Sequence, residues 1–289
     1  MRIPVVTSEW TRIAEFPDNH VGDFSIFRDA LGTWHCLGTM GTGRRKTELT
    51  FFHCKSRRLL GPYEPQPTLL PWAPRFGPDS GENLSPQKRA PFVLRKDGIY
   101  HMFYTRPPGT LMHVTARDAA GWNDLGRVVF EKNDARDVCI RKSGDGYLMY
   151  YCQHARADGE NRSCIMLRRS ENLNHWSDPQ IVYFDVQRAA NHSYLESPCM
   201  VQRPDGYYLF MRHRLMDERT TTVVLYSPEP DHFELGLQPW VQELHNVHAP
   251  EIISAKDACC IVRVSGGRHD NPNAPDRGGW LEAAKMEFL

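Results

Sequence analysis

Tyr194-Leu195-Glu196-Ser197-Pro198-Cys199-Met200-Val201 runs into Gln202-Arg203-Pro204-Asp205-Gly206 and then into Tyr207-Tyr208-Leu209-Phe210. The middle piece is a polar Pro-Asp-Gly turn and the last an aromatic-rich run, together the turn and second strand of a hairpin. The first piece is an apolar strand that begins with a carboxylate, Glu196, between Leu195 and Ser197-Pro198. A carboxylate among apolar neighbours is costly to ionise, so burial there favours the protonated form that a general acid needs. Taken alone, Glu196 reads equally well as a solvated strand cap.

The arrangement recurs. Asp23-Phe24-Ser25-Ile26 leads through Gly32 to Trp34-His35-Cys36-Leu37, and Ala90-Pro91-Phe92-Val93-Leu94 leads through Asp97-Gly98 to Tyr100-His101-Met102-Phe103-Tyr104. Asp137-Val138-Cys139-Ile140 leads through Asp145-Gly146 to Tyr147-Leu148-Met149-Tyr150-Tyr151. After the Glu196 copy, His248-Ala249-Pro250-Glu251-Ile252-Ile253 leads through Asp257 to Cys259-Cys260-Ile261-Val262. Five strand–turn–strand units, roughly 45 to 70 residues apart, match the period of propeller blades. A second mark repeats later in each of four units: Ser56 before Gly61-Pro62-Tyr63, Asp118 before Gly121-Trp122, Ser170 before Trp176, and Ser227 before Phe233. Each reads as a turn ending in an aromatic, suited to joining a blade's third and fourth strands. The reading is all-β: one five-bladed β-propeller of four-stranded blades spanning residues 1–289 as a single domain. Residues 9–16 alternate like a strand. Pairing them with the last blade, whose own final strand is Trp280 to Phe288, would close the ring.

The chain resembles the five-bladed propeller glycoside hydrolases, the broad group that includes families 43, 32 and 117. The residues carrying the likeness are Asp23, Arg136-Asp137, Glu196-Ser197-Pro198 and His248-Ala249-Pro250-Glu251, with Ser170 to Trp176 similar to the group's blade ending. Phe24 and Val138 stand where members usually carry proline, and Glu-Ser-Pro is closer to family 43 than to family 32. The resemblance implies a glycosidase with Glu196 as general acid, Asp23 as base or nucleophile, and Asp137 as an orienting residue. Inversion is the expected stereochemistry, on a small oligosaccharide or glycoside.

Composition narrows the partners. Lys plus Arg and Asp plus Glu both number 35, a formal net charge of zero. That balance argues against nucleic acid and anionic membrane, which select basic surfaces. Eight cysteines without a CxxC pair, most inside apolar strand patterns, read as buried free thiols and a reducing, cytoplasmic setting. No Walker motif, dinucleotide fingerprint or zinc-ligand spacing occurs, so no organic cofactor is expected.

Each remaining candidate has a plainer alternative. Gly22 would permit an unusual turn that aims Asp23 at the axis, although Asp23 also reads as an ordinary turn aspartate. Asp137 would bind sugar hydroxyls and bias its neighbours, or serve as a structural partner of Arg136. Arg89 and Arg136 are candidate substrate-binding cations. Trp72, in the proline-rich stretch 61–88, would stack on a sugar ring or lie in a solvated loop. His248 would sit in the central channel, touching substrate or near a calcium ion, or be a hydrogen-bonded core residue. Arg212-His213-Arg214 would mostly face solvent or other blades, with one member reaching the pocket. Two other functions stay open. A glycoside phosphorylase would need Arg89, Arg136, Arg212 and His213 to hold phosphate, and a sugar- or protein-binding propeller would turn nothing over.

Overall fold

The computed structural model describes residues 1–41, 48–70, 86–122, 127–131, 134–186, 193–215, 221–235, 240–255, 258–266 and 278–289. Among them are strands and no helix. Two N-terminal strands, β1 (Pro4–Val6) and β2 (Thr11–Phe16), precede the first blade. Blade one is β3 (His20–Arg28), β4 (Trp34–Gly41), β5 (Thr50–Ser56) and β6 (Glu64–Leu69). Blade two is β7 (Arg89–Lys96), β8 (Ile99–Arg106), β9 (Thr110–Ala116) and β10 (Arg127–Glu131). Blade three is β11 (Arg136–Ser143), β12 (Gly146–Ala157), β13 (Glu160–Ser170) and β14 (Gln180–Phe184). Blade four is β15 (Ser193–Arg203), β16 (Gly206–Leu215), β17 (Thr221–Ser227) and β18 (Trp240–His245). Blade five is β19 (His248–Ala255), β20 (Ala258–Gly266) and β21 (Gly279–Phe288). Each blade is an antiparallel meander, and the five form the expected propeller.

The ring closes through the N-terminus. β2 pairs antiparallel with β21 from Thr11↔Ala283 to Phe16↔Gly279, which makes it the fourth strand of blade five. β1, too short to leave a periodic pattern, pairs with the other half of β21, from Pro4↔Phe288 to Val6↔Met286. Backbone bonds between Ile3 and Leu289, at 2.8 and 2.9 Å, extend the seam to the last residue.

Apolar side chains fill the spaces between blades. Leu37, Phe51 and Leu69 of blade one pack on Val93, Met102, Tyr104 and Met112 of blade two. Phe210 and Tyr208 of blade four meet Ile261, Met286 and Phe288 of blade five. A fully buried side chain of this size contributes about 1.5–3 kcal/mol, so the stack of blades is held mainly by these seams. Glycine is needed at position 38: a Cβ there would stand 2.4 Å from the Phe52 ring.

The second repeated mark is a turn cap. Ser56 Oγ accepts the Arg58 amide at 3.1 Å, Asp118 Oδ1 the Ala120 amide at 2.9 Å, Ser170 Oγ the Leu173 amide at 2.9 Å, and Ser227 Oγ the Glu229 amide at 3.1 Å. Each follows or ends a blade's third strand, as the sequence predicts. All eight cysteines are unpaired, seven of them buried and Cys259 half-buried.

Candidate active site

Every innermost strand carries a bulge at the same place. Between Val21 and Phe24, Arg89 and Phe92, Arg136 and Cys139, Glu196 and Cys199, and His248 and Glu251, three steps on the inner strand match two on its neighbour. A bulge bends its strand and re-aims side chains. Ala90, Asp137, Ser197 and Ala249, the second residues of four of these windows, have φ of +48°, +57°, +52° and +49°. Gly22, the fifth, is not left-handed, so blade one reaches its bulge without the unusual turn expected of that glycine. Hydroxyls of the preceding blade hold two of the bent amides: Ala90 N donates to Thr39 Oγ1 at 2.9 Å, and Asp137 N to Thr105 Oγ1 at 3.3 Å.

The bulges surround a cavity of about 20 Å³, room for roughly one water molecule. All five inner strands line it, with Asp23, Asp137, Ser197, Pro198 and Glu251 among the contributors. The three expected carboxylates do not occupy equivalent places in their blades. Glu196 is the first residue of its window, Asp137 the second and Asp23 the third, and Glu251 takes the fourth place in blade five. The carboxylates are thus staggered along their windows; Asp23, Asp137 and Glu251 line the cavity, and Glu196 precedes the lining Ser197.

Ser197 joins two of the carboxylates. Its hydroxyl donates to Asp23 Oδ1 at 2.7 Å and its amide to Asp137 Oδ2 at 3.1 Å. Burial pushes both aspartates up. For Asp23 the Ser197 hydroxyl opposes the shift and Glu196 adds to it. For Asp137, burial and the adjacent Asp23 outweigh Arg136 and carry it up to about 8. Glu196 is more open, its side chain 25% accessible against 10% for Asp137. It is not surrounded by apolar groups alone, because Arg212 Nη1 donates to its Oε2 at 2.6 Å. Arg212 lies directly across the hairpin from Glu196, so from the run Arg212-His213-Arg214 it reaches the site.

The other candidates fall into place around this centre. Arg136 donates to Asp134 Oδ2 at 2.6 Å and to the Leu195 carbonyl at 2.9 Å, and stands 3.7 Å from Asp137. It therefore braces blade three against blade four and does not line the cavity. Arg89 is paired with the buried Glu48, which also lies 3.3 Å from His20 Nε2. His248 heads the blade-five window but does not line the cavity. Among the described residues no three His, Cys, Asp or Glu side chains are grouped to hold a metal ion. Trp72 lies outside the described residues.

Sequence reading assigned no role to Ser197, Glu251 or Glu48. Burial pushes Glu251 up to about 8, with Cys139 adding to the shift and Arg141 opposing it. Its signal was its place in the fifth window; Glu48 carried none, since its partners lie 28 and 41 residues away. A larger groove of about 610 Å³ runs between the Ser143–Gly146 turn and the Ser170–Ser177 link. Ser170 and Asn172 there already accept their own loop's amides.

No family model matches the chain, and no curated protein matches it by sequence. Solved structures do. A thermostable family-43 glycoside hydrolase superposes with a TM-score of 0.68 at 15% identity, over 94% of this chain and 91% of that one. An exo-1,5-α-L-arabinanase from a bovine ruminal metagenomic library gives 0.67 at 14%, over 94% and 95%. A family GH32 β-fructofuranosidase of Bombyx mori gives 0.64 at 11%, over 96% and 62%. The likeness is one of fold, a five-bladed propeller shared across nearly the whole chain.

Proposed function

We propose that the protein is a glycoside hydrolase that cleaves a glycosidic bond with Asp23, Asp137 and Glu196. The observation that carries the reading is their convergence: Asp23 and Asp137 line one axial cavity and are tied to the same serine, and Glu196, the residue before that serine, is close enough to push both of them up. Neighbouring carboxyls in a buried site resist ionising together, which separates acid from base roles. Asp23, favoured as the anion by the Ser197 hydroxyl, activates water, and the cavity has about one water's volume beside it. Room for that water favours inversion. Glu196, the more open group, protonates the leaving oxygen. Its contact with Arg212 must open first, a step that a sugar hydroxyl accepting from Arg212 would drive. The substrate is a small oligosaccharide or glycoside.

Phosphorolysis is less well supported. Arg89 is paired with Glu48, Arg136 with Asp134, Arg212 with Glu196, and His213 with Asp185. Each side chain proposed to hold phosphate already has a carboxylate partner.

A panel of aryl furanosides and pyranosides, followed by sugar-leaving-group substrates, tests the reading. Glu196→Gln should lose about a hundredfold or more on a sugar leaving group and much less on an activated aryl one, which departs without a proton. Asp23→Asn should damage both, and proton NMR should find the inverted anomer first. Turnover that requires phosphate would replace hydrolysis by phosphorolysis. Asp23→Asn with full activity would remove the assignment.

A further inference from the structure

Ser197 sits at the second place of the blade-four bulge, with φ of +52°. From there the residue makes two donations in different directions, the amide to blade three and the hydroxyl to blade one. The equivalent residues elsewhere are Gly22, Ala90, Asp137 and Ala249, so blade four alone offers a hydroxyl at this level. We infer that Ser197 is a positioning residue of the site: it ties the carboxyl groups of Asp23 and Asp137 into one unit across the axis, its hydroxyl serving the first and its amide the second. The inference rests on the hydrolytic reading only for its kinetic consequence.

The two donations are not interchangeable. A serine hydroxyl has one hydrogen to give, and here it goes to Asp23 at 2.7 Å. Asp137 receives the longer amide contact and the guanidinium of Arg136 at 3.7 Å. Two interacting carboxyls titrate as a pair, and a donor fixed on one member biases which of them ionises first. Ser197 thus selects Asp23 as the anion, the form a base must have, and leaves the shared proton with Asp137. The same residue follows Glu196 in the chain, so one strand bend places the acid and aligns the base.

Ser197→Ala removes the hydroxyl while keeping the amide and a Cβ. Ser197→Gly also removes the hydroxyl and keeps the amide, with a residue for which a left-handed φ carries no strain, should the alanine variant fail to fold. Carboxyl carbon-13 NMR follows the Asp23–Asp137 pair directly, with Asp23→Asn to assign it, and needs no substrate. The lower of the pair's two midpoints should rise by about one to two pH units, the effect of losing a hydrogen bond to a charged group. The acid limb of the kcat/KM profile should move up with it while KM changes little. A folded variant whose midpoints stay at the wild-type values overturns the inference, whatever happens to its rate. A midpoint that moves in a protein hydrolysing none of the glycosides upholds Ser197's role and removes hydrolysis instead.

Discussion

Asp137 and Glu251 hold their protons to about pH 8 because burial penalises their charged forms, with Asp23 reinforcing the first and Cys139 the second. An unfolded carboxylate titrates near pH 4. Between about pH 4 and 8 the folded chain therefore binds protons that the unfolded chain releases. The stability these groups contribute is fully present below the lower value and lost as pH rises through the upper one. Asp137→Asn and Glu251→Gln abolish that titration, so each variant should gain in melting temperature relative to wild type as pH goes from 5 to 9. A difference constant across that range would show that the two groups are ionised throughout. His53 has the opposite slope. Burial, then His35, lowers it to about 3, so its contribution is present above about pH 6.5 and lost as pH falls. Asp137 was legible in the sequence because it opens an apolar strand pattern, and Glu251 only through its place in the fifth unit. Their stagger was not, since alanine at positions 90 and 249 gives no sign of a left-handed backbone, a conformation it ordinarily avoids.

The elements were more legible than the residues. A hairpin announces itself through a turn and an alternating run, and five copies at a common period leave few architectures to choose from. β2 was readable as the closing strand from its alternation together with the last blade's shortage of strands, whereas β1 spans three residues and has no period to read. Contacts such as Arg89 with Glu48 exist only once separate strands are brought together, so local pattern could not supply them. Closure makes a prediction at this scale. Removing residues 1–16 strips β21 of β1 and β2, leaving it paired with β20 alone, and takes the buried Ile13 and Phe16 from the seam between blades one and five. The truncated protein should lose its cooperative thermal transition, followed by circular dichroism. An unchanged melting curve would mean that β21 tolerates an open edge.

At the scale of the whole molecule, four inter-blade clusters among the described residues and one seam hold the ring, and at that seam strands from opposite ends of the sequence pair with each other. The orientation of that seam decides how it bears mechanical load. Residue 3 faces residue 289, and β1 and β2 run antiparallel to β21. Tension applied at the two ends pulls the facing strands apart from their tips, so backbone bonds are loaded one after another, as in a zipper, and never share the force as they would in shear. Stretched from residues 1 and 289, the protein should first release its N-terminal strands in a low-force event. Sixteen residues at about 3.5 Å each would lengthen the chain by roughly 50–60 Å before any blade unravels. A force trace with one step only, the whole chain yielding at once, would mean that the seam is as strong as the blades it joins. A ring that is hard to melt would otherwise be easy to unfasten.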